Sequence, residues 1–378
     1  VTFPDRPPRP PLEPGPSNGL WFQHVAIVVS NLEQAAARLE GGTRPRTIRG
    51  RRRAPAWFGY DPPPLHLVVG GDPVDVGGGG RTEPDATIIV HDFGAAIVVY
   101  RLALPPTLEE LPPLASALYE HPELERDARA RLGRLMDAMG PAIERPAISA
   151  AVEDYVVWCL RSWEEPPHAG GEPRGLLERH RSTIARIIEA EEAPLAAEQI
   201  RRSTQAVMGY GPGDLAVIDW NAAVLLDPEP EDVVAVLQHA NVELLELRIL
   251  DGQLDRLIES ADEALARVLR RRLWPSFAER RMLGAVAAAQ SDAAVGFEGV
   301  HNAIKLTGTQ YLARLHRLAA EQLGLPDWTA AVERKLAAGA GLHGRIADTV
   351  ATRRLEVLEW VIVVLIAVSI VLPFLPWY

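Results

Sequence analysis

The chain shows two patterns of hydrophobic and polar positions, and the change between them falls near residue 230. Before that point, short apolar runs are separated by polar, Gly-rich or Pro-rich stretches, an arrangement typical of β-strands. Helical segments separate several of these runs, so we predict an α+β domain over residues 20–228. Its fold class is an α/β sandwich, for which a ferredoxin-like topology is one candidate. The predicted strands are Trp21–Val29, Leu65–Val69, Thr87–Val90, Ala95–Leu102, Tyr155–Trp158, Leu215–Trp220 and Ala222–Leu226.

From Glu231 onward, apolar positions recur at alternating spacings of three and four residues, the heptad register of a coiled coil. Trp274 and Pro275 end this helix, and a second helical region follows from Phe277. The two regions either fold back as an antiparallel coiled-coil hairpin or each pair with another chain. We therefore predict a helical coiled-coil region over residues 229–354 and a homo-oligomer. The predicted oligomer seam consists of Leu237, Leu244, Leu247, Leu254, Ile258 and Leu265.

The last residues of the chain form an uncharged apolar stretch. Trp360–Tyr378 contains no charged side chain, and as a helix it would span about 28 Å, close to the ~30 Å hydrocarbon core of a bilayer. The pattern predicts a transmembrane helix over residues 355–378 and a single-pass protein of the cell membrane, in contact with lipid. Because basic residues precede the span and none follows it, the bulk of the chain is expected in the cytoplasm. The predicted anchor residues are Arg353, Arg354, Trp360, Trp377 and Tyr378.

The segment Arg354–Ala367 resembles the membrane boundary of a known family. Its specific part is Leu358-Glu359-Trp360 followed by the apolar helix, which is similar to the C-terminus of the "required for meiotic nuclear division" family, including its sporulation-related and bacterial members. The resemblance implies an oligomeric, membrane-anchored protein. Organellar members support translation, so the resemblance also implies a protein or ribosome-associated partner. The family has no agreed catalytic residues to carry over.

Composition narrows the function classes. The net charge of −11 is a poor match to a polyanion, so we predict no specific nucleic-acid partner. The only cysteine, Cys159, excludes intramolecular disulfides and multi-thiolate zinc sites. Residues 1–19 are rich in proline, which predicts a disordered tail.

One loop carries dense positive charge beside aromatic residues. Such a run either is a solvated loop or contacts an anionic partner, such as lipid headgroups or RNA. The candidate contacts are Arg49, Arg51, Arg52, Arg53 and Trp57.

No complete catalytic or metal-binding motif is found in the sequence. The tetrapeptide His91-Asp92-Phe93-Gly94 lacks the other motifs of a kinase. Glu298 and His301 share one face of a predicted helix, but a di-iron bundle needs further ligands from facing helices. We therefore predict no catalytic residue, metal or cofactor, and a membrane-anchored, oligomeric scaffold or tether. The alternatives are a CorA-like divalent-cation transport protein and an enzyme in the N-terminal domain.

Overall fold

The computed structural model describes residues 18–26, 64–91, 93–105, 107–143, 147–162, 172–270, 310–341, 362–363 and 365–366. These residues have mixed α/β content. By contacts, the chain divides into two compact units. The first unit comprises Val1–Arg248 and Gly299–Asp327, and the second comprises Ile249–Glu298 and Trp328–Tyr378.

Within the described part of the chain, the first unit contains one eight-stranded sheet. Its spatial order is β2-β5-β6-β1-β7-β10-β9-β8. All neighbouring strands are antiparallel except β7 and β10, which run parallel. The strands are β1 (Asn18–Ala26), β2 (Leu65–Val69), β5 (Ala86–Val90), β6 (Ala95–Ala103), β7 (Val152–Leu160), β8 (Val207–Met208), β9 (Leu215–Ile218) and β10 (Ala222–Leu226), while β3 (Asp75–Gly77) and β4 (Gly80–Arg81) form a separate ribbon.

Helices connect the strands and extend beyond them. Short 3-10 helices lie at Leu108–Glu110 and Gly140–Ala142. Among the described residues of the first unit up to β10, the α-helices are α1 (Leu111–Leu118), α2 (Pro122–Met139), α3 (Pro173–Ile188) and α4 (Ala197–Ser203). They are followed by α5 (Glu231–Arg270), α6 (Gln310–Gln322) and α7 (325–341).

The central strands are buried on both faces. In β10, Val224 and Leu226 belong to one hydrophobic cluster that also includes residues of α1, α2 and α3. The alternating residues Ala223 and Leu225 lie outside that cluster but are equally buried. Because successive side chains of a strand point to opposite faces, apolar material covers both sides of the sheet here.

A fully buried arginine joins α2 to the loops beside the sheet. The Arg131 Nε donates a hydrogen bond to Asp127 Oδ2 at 2.6 Å. Its Nη1 donates to the carbonyl oxygens of Val69 at 2.9 Å and Pro84 at 3.1 Å, and its Nη2 donates to that of Asp72 at 3.1 Å. Since a buried charge is tolerated only when it is paired and hydrogen-bonded, these partners make the burial of Arg131 possible.

The same carboxylate also binds the sheet. The Tyr100 hydroxyl of β6 donates to Asp127 Oδ2 at 2.5 Å, and the Arg131 guanidinium carbon lies 5.6 Å from the centroid of the Tyr100 ring. At Gly71, a Cβ atom would lie 2.5 Å from the guanidinium, so the loop can pass this close only as glycine.

The predicted strands Thr87–Val90 and Ala95–Leu102 are confirmed as parts of β5 and β6, which pair antiparallel as a hairpin. The ferredoxin-like candidate is wrong because the sheet is larger and has a different strand order. The sequence did not show that the isolated N-terminal strand, β1, lies between β6 and β7. Residues 1–17 of the predicted Pro-rich tail lie outside the described residues, and the last two residues of that tail, 18 and 19, belong to β1.

The structure corrects the membrane assignment. Among the described residues, no helix is long and apolar enough to cross a membrane. An uncharged stretch meets a hydropathy criterion whether or not it forms one continuous helix. On this finding the transmembrane helix, the single-pass topology and the cell-membrane location with a cytoplasmic bulk are wrong.

The remaining part of that segment lies outside the described residues. This includes the predicted anchor side chains Arg353, Arg354, Trp360, Trp377 and Tyr378. The four described positions, Ile362, Val363, Leu365 and Ile366, are exposed.

We predict that Arg131→Met strongly destabilises the first unit. The substitution leaves the Asp127 carboxylate without its buried cation and three carbonyl oxygens without a donor, a loss of about 3–5 kcal/mol in the free energy of unfolding. Urea unfolding followed by circular dichroism measures it. The control is Arg126→Met on the exposed side of the same helix, which should change the free energy by less than about 0.5 kcal/mol. Equal changes in the free energy of unfolding for both substitutions would show that the buried network does not stabilise the first unit.

A second prediction concerns Asp219 in the β9–β10 turn. Burial raises the pKa of this carboxyl to about 6. The folded protein therefore holds the proton more tightly than the unfolded chain, and this group's contribution to stability falls as the pH rises from about 4 to about 6. Asp219→Asn can still accept the hydrogen bond from the Trp220 N–H. We expect the melting temperature of the variant, measured relative to that of the wild type, to rise between pH 4 and pH 7.

The control for this prediction is Asp137→Asn, which removes a carboxylate from an exposed position of α2. A difference in melting temperature between the Asp219 variant and the wild type that stays constant across this pH range would contradict the prediction.

Candidate metal centre

The first turns of α5 are held against the sheet. The helix begins at Glu231, shortly after β10, and the Arg161 Nη2 donates a hydrogen bond to Glu231 Oε1 at 2.7 Å. Because Arg161 directly follows β7, this pair joins the end of a central strand to the start of the helix. Two turns later the helix is buried on all sides, since every residue from His239 to Leu245 is buried.

Two polar side chains lie on this buried part of α5. His239 is 6% exposed and Glu243 is 8% exposed. They are four residues apart, so the helix places both on one face with their Cβ atoms about 5–6 Å apart. A histidine and a carboxylate at this spacing can bind the same ion.

The third polar side chain comes from α6. Leu312, Leu315 and Ala319 form the buried face of this helix, and His316 lies among them at 7% exposure. The Tyr311 ring packs edge-on against the Tyr210 ring, with centroids 5.2 Å apart, and so fixes the start of α6 within the first unit. Apolar packing of α6 thus brings His316 to the α5 pair.

The three side chains converge at one point. Each of His239, Glu243 and His316 offers a ligand atom, and these atoms lie within 4.8 Å of one another. Glu243 Oε2 and His316 Nε2 are 3.3 Å apart, and the two imidazole centroids are 5.4 Å apart. Around tetrahedral zinc, bonds of about 2.0–2.2 Å place ligand atoms about 3.3–3.6 Å apart. The carboxylate and His316 already have this separation.

The electrostatics of the cluster favour a cation. Burial lowers the pKa of His239 well below its ordinary value, and the neighbouring His316 and His91 lower it further. His239 is therefore a neutral imidazole, the form that binds metals. Glu243 Oε2 and His316 Nε2 are buried and form no hydrogen bond with any described residue. Buried polar atoms are normally satisfied, so these two indicate a missing partner.

An ion pair explains only part of this arrangement. A protonated His316 could pair with Glu243 at the observed 3.3 Å. Such a pair involves two of the three groups and gives no role to His239, whose ligand atom lies within 4.8 Å of both. A divalent ion bound by His239, Glu243 and His316 would give all three buried side chains a partner.

None of the residues predicted from the sequence as contacts or seam positions belongs to the His239–Glu243–His316 cluster. Residues 44–63, with Arg49, Arg51, Arg52, Arg53 and Trp57, lie outside the described residues, as do Glu298 and His301. Of the predicted oligomer seam, Leu237, Leu244, Leu247 and Leu254 are buried within a single chain, and Ile258 is partly buried. The side chain of Leu265 lies outside the described part.

His91, the first residue of the tetrapeptide His91–Gly94, lies close enough to the cluster to lower the pKa of His239. It follows β5 in the hairpin turn, is 5% exposed and stacks on Phe93 with ring centroids 5.0 Å apart. Asp92 lies outside the described residues. Asp219 belongs to a separate turn, where its carbonyl oxygen accepts a hydrogen bond from the Tyr155 hydroxyl.

Sequence reasoning missed all three members of the cluster. The only signal in the sequence is the spacing of four residues between His239 and Glu243 on the helix that begins at Glu231. His316 follows much later in the chain, and only the packing of α6 brings it close to them.

Comparison with known proteins gives a family but no activity. Residues 25–232 match the family described as "Uncharacterized protein MJ0711, N-terminal domain". The uncharacterized protein MJ0711 of Methanocaldococcus jannaschii is 20% identical over 226 residues, which cover 58% of this chain and 66% of the relative. The alignment thus spans just under two thirds of that relative. No solved structure shows a significant match.

The metal cluster lies beyond the matched residues, since the family match ends before His239. The resemblance to the meiotic nuclear division family rests on residues 354–367, which the match does not reach, and it stays a prediction. The family match covers more than half of the sequence. The chain belongs to the MJ0711 N-terminal domain family.

Proposed function

We propose that this protein binds one divalent transition-metal ion, best matched by zinc, through His239, Glu243 and His316. The observation that carries the proposal is the convergence of three buried ligand atoms within 4.8 Å in the first unit. This proposal departs from the sequence prediction, which included no metal.

The ligand types favour zinc over the common hard cations. Ca²⁺ and Mg²⁺ prefer sites built from oxygen atoms, whereas imidazole is a common ligand of zinc and other late transition metals. Two histidines with one carboxylate are the protein ligands of some catalytic zinc sites, in which water or substrate fills the fourth position. The single cysteine is buried in β7 and contributes no thiolate to the cluster.

The burial of the site favours a structural role for the ion. A catalytic zinc keeps one coordination position open to substrate. Here the three residues are 6–8% exposed, so little of the site faces solvent. An ion at this position would link α5 to α6 within the first unit and fix α6 in its packed position. The function supported best is that of a metal-stabilised structural or interaction protein.

A scaffold function with protein or ribosome-associated partners, predicted from the sequence, stays compatible with this proposal. The homo-oligomer also stays a prediction. The seam positions Leu237, Leu244 and Leu247 already pack inside the first unit, so an oligomer would have to use other surfaces.

We predict that the purified chain binds one equivalent of Zn²⁺ or Co²⁺ and that His316→Ala removes this binding. Titration of the EDTA-treated protein with Co²⁺, followed by its visible absorption, measures the stoichiometry. Zn²⁺ at about a hundred times its dissociation constant should stabilise the wild type by about 2.7 kcal/mol and leave His316→Ala unaffected. The expected readout is a melting temperature that rises by several degrees in the wild type alone.

The control is His180→Ala, which removes a histidine of α3 that pairs with Glu109 outside the cluster. This variant should bind one equivalent of metal like the wild type. Failure of the wild type to bind either ion, or equal binding by His316→Ala, would overturn the proposed function.

A further inference from the structure

A cleft of about 650 Å³ opens on the first unit beside the end of β6. Its lining includes the buried side chains of Leu104 and Leu114 and two prolines, Pro105 and Pro113. The turn of the β3–β4 ribbon forms another part of the lining. At Gly78, where φ is 55°, a Cβ atom would lie 2.8 Å from the Leu114 Cα, so the turn can approach α1 this closely only as glycine.

The cleft also carries negative charge. Glu109 and Glu110, from the 3-10 helix before α1, both line it and both are exposed. Glu110 Oε2 accepts hydrogen bonds from the Thr107 N–H at 3.3 Å and from the Thr107 hydroxyl at 2.9 Å, which hold this carboxylate in place. Glu109 Oε1 lies 3.6 Å from His180 Nδ1. Among the described residues that line the cleft there is no lysine or arginine, so the cleft is complementary to a cationic occupant.

The strand β1 begins at the same place. Its first residue, Asn18, pairs with Ala103, which lines the cleft. Because β1 and β6 are antiparallel, the direction from β1 back toward the start of the chain is the direction from Ala103 to Leu104 and Pro105. The chain that precedes β1, residues 1–17, lies outside the described residues and is joined to the structure beside the cleft.

The sequence of this preceding segment has the chemistry that the cleft calls for. It carries Arg6 and Arg9 among several prolines. Arg9 is nine residues before Asn18, a distance that an extended proline-rich chain can span over about 28 Å. Glu109 is six residues after Ala103, so the two are at most about 22 Å apart. Arg9 can therefore reach the acidic part of the cleft.

We propose that this cleft binds the proline-rich segment that precedes β1 in the same chain. Arg6 and Arg9 pair with Glu109 and Glu110, and the prolines beside the arginines pack on the apolar lining. Proline-rich segments bind to apolar grooves at a low entropic cost, because their extended backbone is preformed. The covalent connection at Asn18 adds a high local concentration of the segment.

Intramolecular cross-linking tests the proposal in the full chain. Pro8→Cys and Ala103→Cys place one thiol in the segment and one at the cleft, and they leave every charge unchanged. The native Cys159 does not compete, because it is buried and burial raises its pKa to about 12. We expect a short bismaleimide to join the two introduced thiols within one chain.

Removal of charge from the segment gives the deciding comparison. Arg6→Gln together with Arg9→Gln alters no residue of the cleft and should slow the cross-linking by about three- to tenfold, the effect of two exposed ion pairs. Sodium chloride at about 0.5 M should slow it similarly by screening the charges. The control is Glu123→Gln on α2, which removes an exposed carboxylate outside the cleft and should leave the rate unchanged.

Two results would overturn the proposal. A cross-linking rate that neither the arginine substitutions nor salt changes would show that the cleft does not hold the segment. Cross-links that join two chains would make a second copy the occupant. Failure of the wild type to bind metal would overturn only the proposed function, since the cleft and the metal cluster share no residue.

Discussion

The first unit depends on how its buried polar atoms are compensated. Arg131 is fully buried, yet Asp127 and three backbone carbonyl oxygens satisfy its guanidinium, and the network fixes α2 against the loops beside the sheet. At the second buried polar cluster, Glu243 Oε2 and His316 Nε2 form no hydrogen bond with a described residue and have only each other, 3.3 Å apart, as a possible ion pair. Since the same unit satisfies a guanidinium so completely, a divalent ion is the simplest completion of the second cluster.

The geometry of the metal centre follows from the packing around it. The parallel pairing of β7 and β10 and the ion pair between Arg161 and Glu231 fix where α5 begins. The helical repeat then places His239 and Glu243 on one face, and the apolar face of α6 brings in His316. The ligands are thus positioned by α5 and α6, whose apolar side chains around the cluster are buried. Such rigid support is what a metal site needs to hold its ligands at bonding distance.

The sequence predicted local elements better than their arrangement. Strands such as Thr87–Val90 were found because their apolar runs are bounded by turn residues, and the helix from Glu231 was found by its periodicity. The order of the sheet depends on pairings between distant strands, which no local pattern records. The heptad spacing was interpreted as an oligomer seam, although Leu237 and Leu244 are buried within one chain. His316 carried no local signal, because the metal cluster exists only after α6 packs.

The central claim concerns an ion at one defined position. Diffraction data collected on both sides of the zinc absorption edge, from crystals of protein loaded with one equivalent of Zn²⁺, test it most directly. The account predicts a single strong anomalous peak about 2.0–2.2 Å from ligand atoms of His239, Glu243 and His316. Fully loaded protein with no peak between α5 and α6, and with the His316–Glu243 contact intact as a simple ion pair, would contradict it.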